Sequence, residues 1–205
     1  MLKVILVRSF VAALFFSFSV VAQSASYNAD KGRDHGAWSS LKLSLGNYRF
    51  YRAINTSDYS DLRVLLDFDA EKCEPELQVH MDSSTSFAKS ETIALTDLSI
   101  RVDRKPIHEA LYEATSVSGE RTVYGYVLAG SLPRLISEMR LGRMLRLKFA
   151  PFRDDLEPVY AELSLNGSRA ALDRAAAMCK QEQVGPESYF DESSEANGGR
   201  AEDYF

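Results

Sequence analysis

The side chains whose type and spacing predict the clearest chemistry are two cysteines. Cys73 and Cys179 are the only cysteines in the chain, so they allow a single pairing. A metal pair or a catalytic thiol would need a CxxC or Cys–His spacing, which neither has. In an oxidising compartment such a pair forms a disulfide. We therefore predict a Cys73–Cys179 disulfide that closes a loop of about 100 residues. The bond would lower the entropy of the unfolded chain and so stabilise the folded state by roughly 4 to 5 kcal/mol.

The histidines do not have the spacing of a catalytic or metal site. His35, His80 and His108 stand in separate segments without HExxH or HxH, and an exposed position is expected for each. The chain also has no GxSxG, SxxK or glycine-rich phosphate loop. We predict no catalytic residue, no metal ligand and no cofactor.

Two pairs of carboxylates could do acid–base chemistry if burial separated their pKa values. Asp67 and Asp69 alternate on one face of a predicted strand, and Asp154 is followed directly by Asp155 in a loop. Both pairs are expected to be exposed to solvent.

Basic residues cluster late in the chain. Four of them form a possible patch for an anionic partner: Arg140, Arg143, Arg146 and Lys148. Arg146 and Lys148 are two residues apart, so they share one face of a strand. The alternative is an ordinary solvated strand face.

An acidic segment with aromatic residues ends the chain. From residue 181 onward there are seven acidic residues and one arginine, and the formal net charge of the chain is −5. The rest is therefore close to neutral, which argues against a nucleic-acid-binding protein. We predict a disordered tail over 181–205, and either it docks a partner or it only aids solubility. The aromatic residues that would contact a partner are Tyr189, Phe190, Tyr204 and Phe205.

The N-terminus has the pattern of an export signal. Lys3 and Arg8 precede an apolar run from Phe10 to Ala22, which is too short to cross a bilayer. We predict a signal peptide over 1–22 with cleavage after Ala22, or alternatively after Ala25. The mature protein would be periplasmic or secreted, and not an integral membrane protein.

Short runs with a period of two predict a mainly β domain over 37–180, after a flexible lead-in over 23–36. Ser131 with Pro133, and Gly167 with Ser168, begin a short inserted helix and a C-terminal helix. The fold class is an antiparallel β-sandwich or a barrel-like domain. The predicted strands are 38–45, 48–54, 62–68, 76–81, 92–95, 98–102, 107–114, 122–128, 144–149 and 159–165.

The strand ending in Leu165-Asn166-Gly167 enters an alanine- and leucine-rich helix that bears Cys179. Upstream lie a strand with Arg101-Val102-Asp103 and a helix that begins at Ser131. This layout, over roughly residues 38–180, resembles small exported bacterial proteins of the invasion-associated locus B kind and accessory proteins encoded with type VI secretion systems. The resemblance implies an exported β-sandwich with an accessory role and no catalytic motif.

Together these features predict a non-enzymatic periplasmic accessory protein that binds a protein partner in the cell envelope or in a secretion system. The alternative is a secreted hydrolase that acts on envelope material through a carboxylate site without a recognisable motif.

Overall fold

A computed structural model of the chain describes residues 27–151 and 157–183. These residues form ten strands and two helices, so the mainly β fold with one inserted and one C-terminal helix is confirmed. The elements are β1 (Asn28–Asp34), β2 (Trp38–Leu45), β3 (Tyr48–Asn55), β4 (Leu62–Asp69), β5 (Pro75–Asp82), β6 (Glu91–Val102), β7 (His108–Ser116), β8 (Thr122–Leu128), α1 (Leu132–Leu141), β9 (Met144–Phe149), β10 (Val159–Ser164) and α2 (Ser168–Gln183).

All ten strands belong to one antiparallel sheet in the order β1-β2-β3-β4-β5-β8-β7-β6-β9-β10. The sheet is not closed, because β1 and β10 stand at its two ends, and the architecture is sandwich-like. The two ends nevertheless meet: the Ala37 N–H donates to the Asn166 carbonyl at 3.0 Å, and the Trp38 indole donates to the Ser164 carbonyl at 2.8 Å. A Cβ at Gly167 would lie 1.2 Å from the His35 carbonyl oxygen, so this meeting requires glycine.

The core lies between one face of the curved sheet and the two helices. Alternate strand residues, including Trp38, Tyr51 and Leu66, point into it and are fully buried. The Tyr112 ring packs edge-on against Phe149 at 5.0 Å between centroids and lies directly against Gly125, where a Cβ would come 2.0 Å from the ring. We call the opposite face of the sheet the outer face.

Helix α2 covers β2, β3 and β4. Its buried stripe repeats with helical spacing and consists of Ala171, Leu172, Ala175, Met178 and Cys179. Cys179 forms the predicted disulfide with Cys73, which lies in the turn after β4, with 5.8 Å between the two Cα atoms. The bond thus ties the last turns of α2 to the β4–β5 turn.

A carboxylate fastens the end of α2 next to the disulfide. Glu182 accepts a hydrogen bond from Lys42 Nζ at 2.7 Å and makes further contacts with the Tyr51 hydroxyl and the Arg49 guanidinium. The hydrogen bonds from Lys42 and Tyr51 outweigh burial and lower the pKa of Glu182 to about 2. The helix is therefore held at this end by a covalent bond and by a charged contact.

Three predicted boundaries were wrong. The lead-in predicted over 23–36 contains β1, an edge strand whose residues are all exposed and whose polar sequence has no apolar alternation; its pairing comes from the edge of β2. The predicted strands 92–95 and 98–102 are one strand, β6, which has a bulge near Thr92. Helix α2 continues to Gln183, beyond the predicted domain end at 180, because the Glu182 contacts hold its last turn.

Several predicted features lie outside the described residues. They are the signal peptide over 1–22, the Asp154–Asp155 pair and the four tail aromatics Tyr189, Phe190, Tyr204 and Phe205. Neither of the two helices in 27–151 and 157–183 is long and apolar enough to span a membrane.

Candidate functional site

Three leucines stand exposed side by side on the outer face of β6, β7 and β8. Leu95, Leu111 and Leu128 are 63%, 42% and 55% exposed. Leu111 lies directly opposite Leu128 across the β7–β8 pairing, and Leu95 is its diagonal neighbour on β6. Side chains directly opposite each other lie about 5 Å apart at Cβ and diagonal neighbours about 7 to 8 Å apart, so the three leucines form one apolar surface, which we call the leucine strip.

Carboxylates alternate with the leucine strip. Asp97 lies opposite Leu111, and Glu113 lies opposite Leu95. Glu109, two residues before Leu111, accepts a hydrogen bond from the Ser99 hydroxyl at 2.9 Å. Because these groups share the outer face with the leucines, the surface is at once apolar and acidic. Such a surface favours a ligand that carries both apolar and basic side chains.

A buried polar cluster adjoins the strip on β3, β4, β5 and β8. Arg52 donates two hydrogen bonds to the Asp67 carboxylate at 2.7 and 2.6 Å. His80 shares a 2.7 Å hydrogen bond with Gln78 and packs edge-on against Tyr124. Burial, with the nearby Arg52 and Arg63 charges, lowers the pKa of His80 to about 3, so this ring is neutral at ordinary pH.

A second buried cluster joins β7 to α1. His108 Nδ1 lies 2.8 Å from the Ser131 hydroxyl, and His108 Nε2 lies 3.0 Å from the Glu138 carboxylate. Glu138 also accepts from Arg134 Nε at 3.1 Å. His108 and Glu138 are 5% and 8% exposed, whereas Ser131 is partly exposed.

These clusters correct two predictions from the sequence. His80 and His108 were expected to be exposed and are buried, because each finds a hydrogen-bond partner that removes the cost of burying its polar ring. Asp67 was also expected to be exposed, but it is buried because Arg52 on the neighbouring strand neutralises it. Among the described residues, no three His, Cys, Asp or Glu side chains lie together in a way that could hold a metal ion.

No protein-family model and no curated protein matches the chain. The fold is similar to that of invasion associated protein B from Bartonella henselae. The two sequences are 14% identical, the match covers 73% of this chain and 98% of that one, and the TM-score is 0.49.

The predicted anionic-partner patch is spread over α1, β9 and the turn between them. Arg140, near the end of α1, forms an ion pair with Asp173 of α2 at 2.9 Å, and Arg146 of β9 forms one with Glu162 of β10 at 2.6 Å. Lys148 lies over the Tyr160 ring, and the Arg143 backbone N–H donates to Asp103. Two of the four cations thus have carboxylate partners that are distant in sequence, and the binding role of the patch stays a prediction.

The leucine strip, the carboxylates that alternate with it and the His108 cluster were not found from the sequence. Leu95, Leu111 and Leu128 appear in strand runs as ordinary apolar residues. Strand alternation could have indicated Leu95, because Leu98, Ile100 and Val102 occupy the inner face of β6 and an odd-numbered residue of the same strand must then point to the outer face.

Proposed function

We propose that the protein is an exported accessory protein that binds a protein partner in the cell envelope through the leucine strip. The observation that carries the proposal is the exposure of three adjacent leucines on a sheet that already buries its other face. Contiguous exposed apolar surface on a soluble domain marks an interaction site more often than isolated apolar residues do. The carboxylates around it add a charge preference.

The partner that fits this surface is a segment of a protein with apolar and basic side chains. Burying a leucine contributes about 1.5 to 3 kcal/mol when the side chain starts fully exposed, and Leu111 is already partly covered. A charged side chain at its position would lose this contribution and repel the contact. We expect Leu111→Asp to weaken binding by at least tenfold, since about 1.4 kcal/mol corresponds to that factor.

The compartment is the second part of the proposal. The Cys73–Cys179 disulfide is compatible with an oxidising environment such as the periplasm or the extracellular space. The predicted signal peptide and the sequence resemblance to exported accessory proteins support the same location. The secretion-system or envelope role follows from that resemblance and stays part of the proposal.

The test is quantitative capture from the envelope fraction of the source cell, with Leu111→Asp and a matched control. Leu141 near the end of α1 is 73% exposed and lies away from the strip, so Leu141→Asp introduces the same charge at another exposed leucine. We expect one specific partner to be retained by the wild type and by Leu141→Asp and lost by Leu111→Asp. Equal capture by all three proteins would refute the role of the strip.

The predicted role of the tail is tested separately. Tyr189, Phe190, Tyr204 and Phe205 remain candidate partner contacts, and a chain that ends at Gln183 removes them while it retains all of α2. If the tail docks the partner, the shortened chain will lose affinity. If the tail only aids solubility, its affinity will equal that of the full chain.

A further inference from the structure

We propose that Ser131 is an activated nucleophile that accepts acyl groups from esters, with His108 as its general base and Glu138 as the residue that orients the base. A hydroxyl, an imidazole and a carboxylate in a continuous hydrogen-bonded chain are the arrangement that activates serine in unrelated hydrolase folds. Here the two links are 2.8 and 3.0 Å. This activity goes beyond the binding function proposed above and gives the alternative hydrolase hypothesis a specific carboxylate, Glu138.

The hydrogen bonds determine where the protons lie. An ionised carboxylate can only accept, so in the neutral imidazole the His108 Nε2–H donates to Glu138 and Nδ1 carries the lone pair. The Ser131 hydroxyl then donates to Nδ1, which is the direction a general base requires. Burial acts to raise the pKa of Glu138, but hydrogen bonds from His108 and Arg134 outweigh it and the pKa is lowered. Glu138 therefore stays ionised and can stabilise the imidazolium form of His108.

The position of Ser131 is a second, independent observation. Ser131 is the N-cap residue of α1, where a serine hydroxyl normally accepts a hydrogen bond from a backbone N–H of the first turn and stabilises the helix by about 1 kcal/mol. The Ser131 side chain makes no such cap bond. Its hydroxyl points to His108 instead, so the usual stabilisation of the helix is given up for this contact.

The three groups differ in their exposure to solvent, and acyl transfer requires that the nucleophile be the group that a substrate can reach. His108 and Glu138 are shielded from water, whereas Ser131 is partly exposed. Two exposed apolar residues lie close to Ser131 or to His108 in sequence: Pro133, two residues beyond Ser131, and Ile107, which is 53% exposed, directly before His108. Arg134, which donates to Glu138, is the exposed cation of the same turn. The two exposed apolar side chains favour an ester with a small apolar acyl group as the substrate class.

The reaction has two steps, and its atoms balance without a co-reactant other than water. The Ser131 oxygen forms a bond to the ester carbonyl carbon as its proton passes to His108 Nδ1. The bond from that carbon to the alcohol oxygen breaks, and the leaving alcohol takes the proton from His108. Water then attacks the acyl-serine, gives a proton to His108 and releases the acid, and Ser131 regains its proton.

The experiment treats the folded mature protein with a fluorophosphonate probe and maps the labelled residue by mass spectrometry. We expect labelling at Ser131 of the wild type. The matched control is Ser137→Ala on the same helix, where an exposed hydroxyl donates to the Pro133 carbonyl, and its labelling rate should equal that of the wild type. His108→Gln should lower the rate at least 100-fold, since a positioned base contributes about 10² to 10⁴.

An unlabelled Ser131 in folded wild-type protein would overturn the proposal, and this result does not depend on whether any variant folds. Labelling that His108→Gln leaves unchanged would also overturn it, because the serine would then be reactive without its base. Hydrolysis of p-nitrophenyl acetate gives a second readout: we expect an initial burst of p-nitrophenol that Ser131→Ala abolishes. Loss of partner capture in Leu111→Asp concerns a different surface, so the two proposals can fail separately.

Discussion

Removal of the disulfide should cost this domain a large part of its stability. The perturbation is the double substitution Cys73→Ser with Cys179→Ser, which removes the bond and keeps two small side chains. The cysteines are 106 residues apart in sequence, so the bond restricts most of the described chain in its unfolded state. In the chain-entropy relation a loop of this size corresponds to about 5 kcal/mol at 25 °C.

The expected loss is large compared with the stability of typical domains, about 5 to 15 kcal/mol. The stripe of α2 residues and the Glu182 contacts remain in the variant, so we expect it to fold, with α2 as the first element to detach. With a urea dependence of about 2 kcal/mol per molar, the unfolding midpoint should fall by about 2 to 3 M.

The assay is equilibrium unfolding in urea followed by tryptophan fluorescence. Trp38 is the single tryptophan and is fully buried, so its emission reports the opening of the core. Wild-type protein measured with a reductant is the control and should show the same shift as the double variant. A loss below about 1 kcal/mol in both would refute the reasoning, because it would mean that the unfolded chain is already compact or that the bond strains the native state.

Three further predictions concern pH and packing. Hydrogen bonds hold the pKa of Glu182 at about 2, so the stability that this carboxylate contributes is present above about pH 4.5 and is lost as the pH falls toward 2. In thermal melts over this pH range, Glu182→Gln should make the melting temperature depend less on pH. An unchanged pH dependence would contradict the assignment. His80 has a pKa of about 3 in the folded protein, so between about pH 6.5 and 3 the unfolded chain binds one proton more than the folded protein, and the free energy of unfolding falls as the pH is lowered through that window. His80→Gln should remove this fall. Its persistence would mean that another group is responsible. Gly125→Ala should lower the free energy of unfolding by about 1 to 3 kcal/mol, because the added Cβ would clash with the Tyr112 ring. The control is Gly130→Ala, where no neighbouring atom lies within 4 Å of the added Cβ, and it should change the free energy of unfolding little. Equal effects of the two substitutions in denaturant unfolding would contradict the packing argument.

The inner face of the sheet could be predicted because it depends on local alternation. Leu98, Ile100 and Val102 predict the buried side of β6, and Leu145, Leu147 and Phe149 do the same for β9. The disulfide could be predicted because two cysteines have one pairing. Helix α2 could be predicted from its helix-forming residues and the Gly167–Ser168 start.

The candidate sites could not be predicted in the same way, because each is assembled from strands or helices that are distant in sequence. His108 is 23 residues before Ser131 and 30 before Glu138, and only the packing of α1 against the sheet brings them together. Asp67 was expected to be exposed because its partner, Arg52, lies on another strand.

The sequence by itself thus determined nine of the ten strands and both helices, apart from some of their boundaries, which face of most strands is apolar and which cysteines pair, because these follow from spacing along the chain and from counting. Tertiary structure alone decided that β1 pairs as an edge strand, that three leucines remain exposed together and that His108 is buried between a serine and a carboxylate. The physical reason is that strand order and register set these contacts, and a buried polar group is tolerated only when a partner from another element satisfies it.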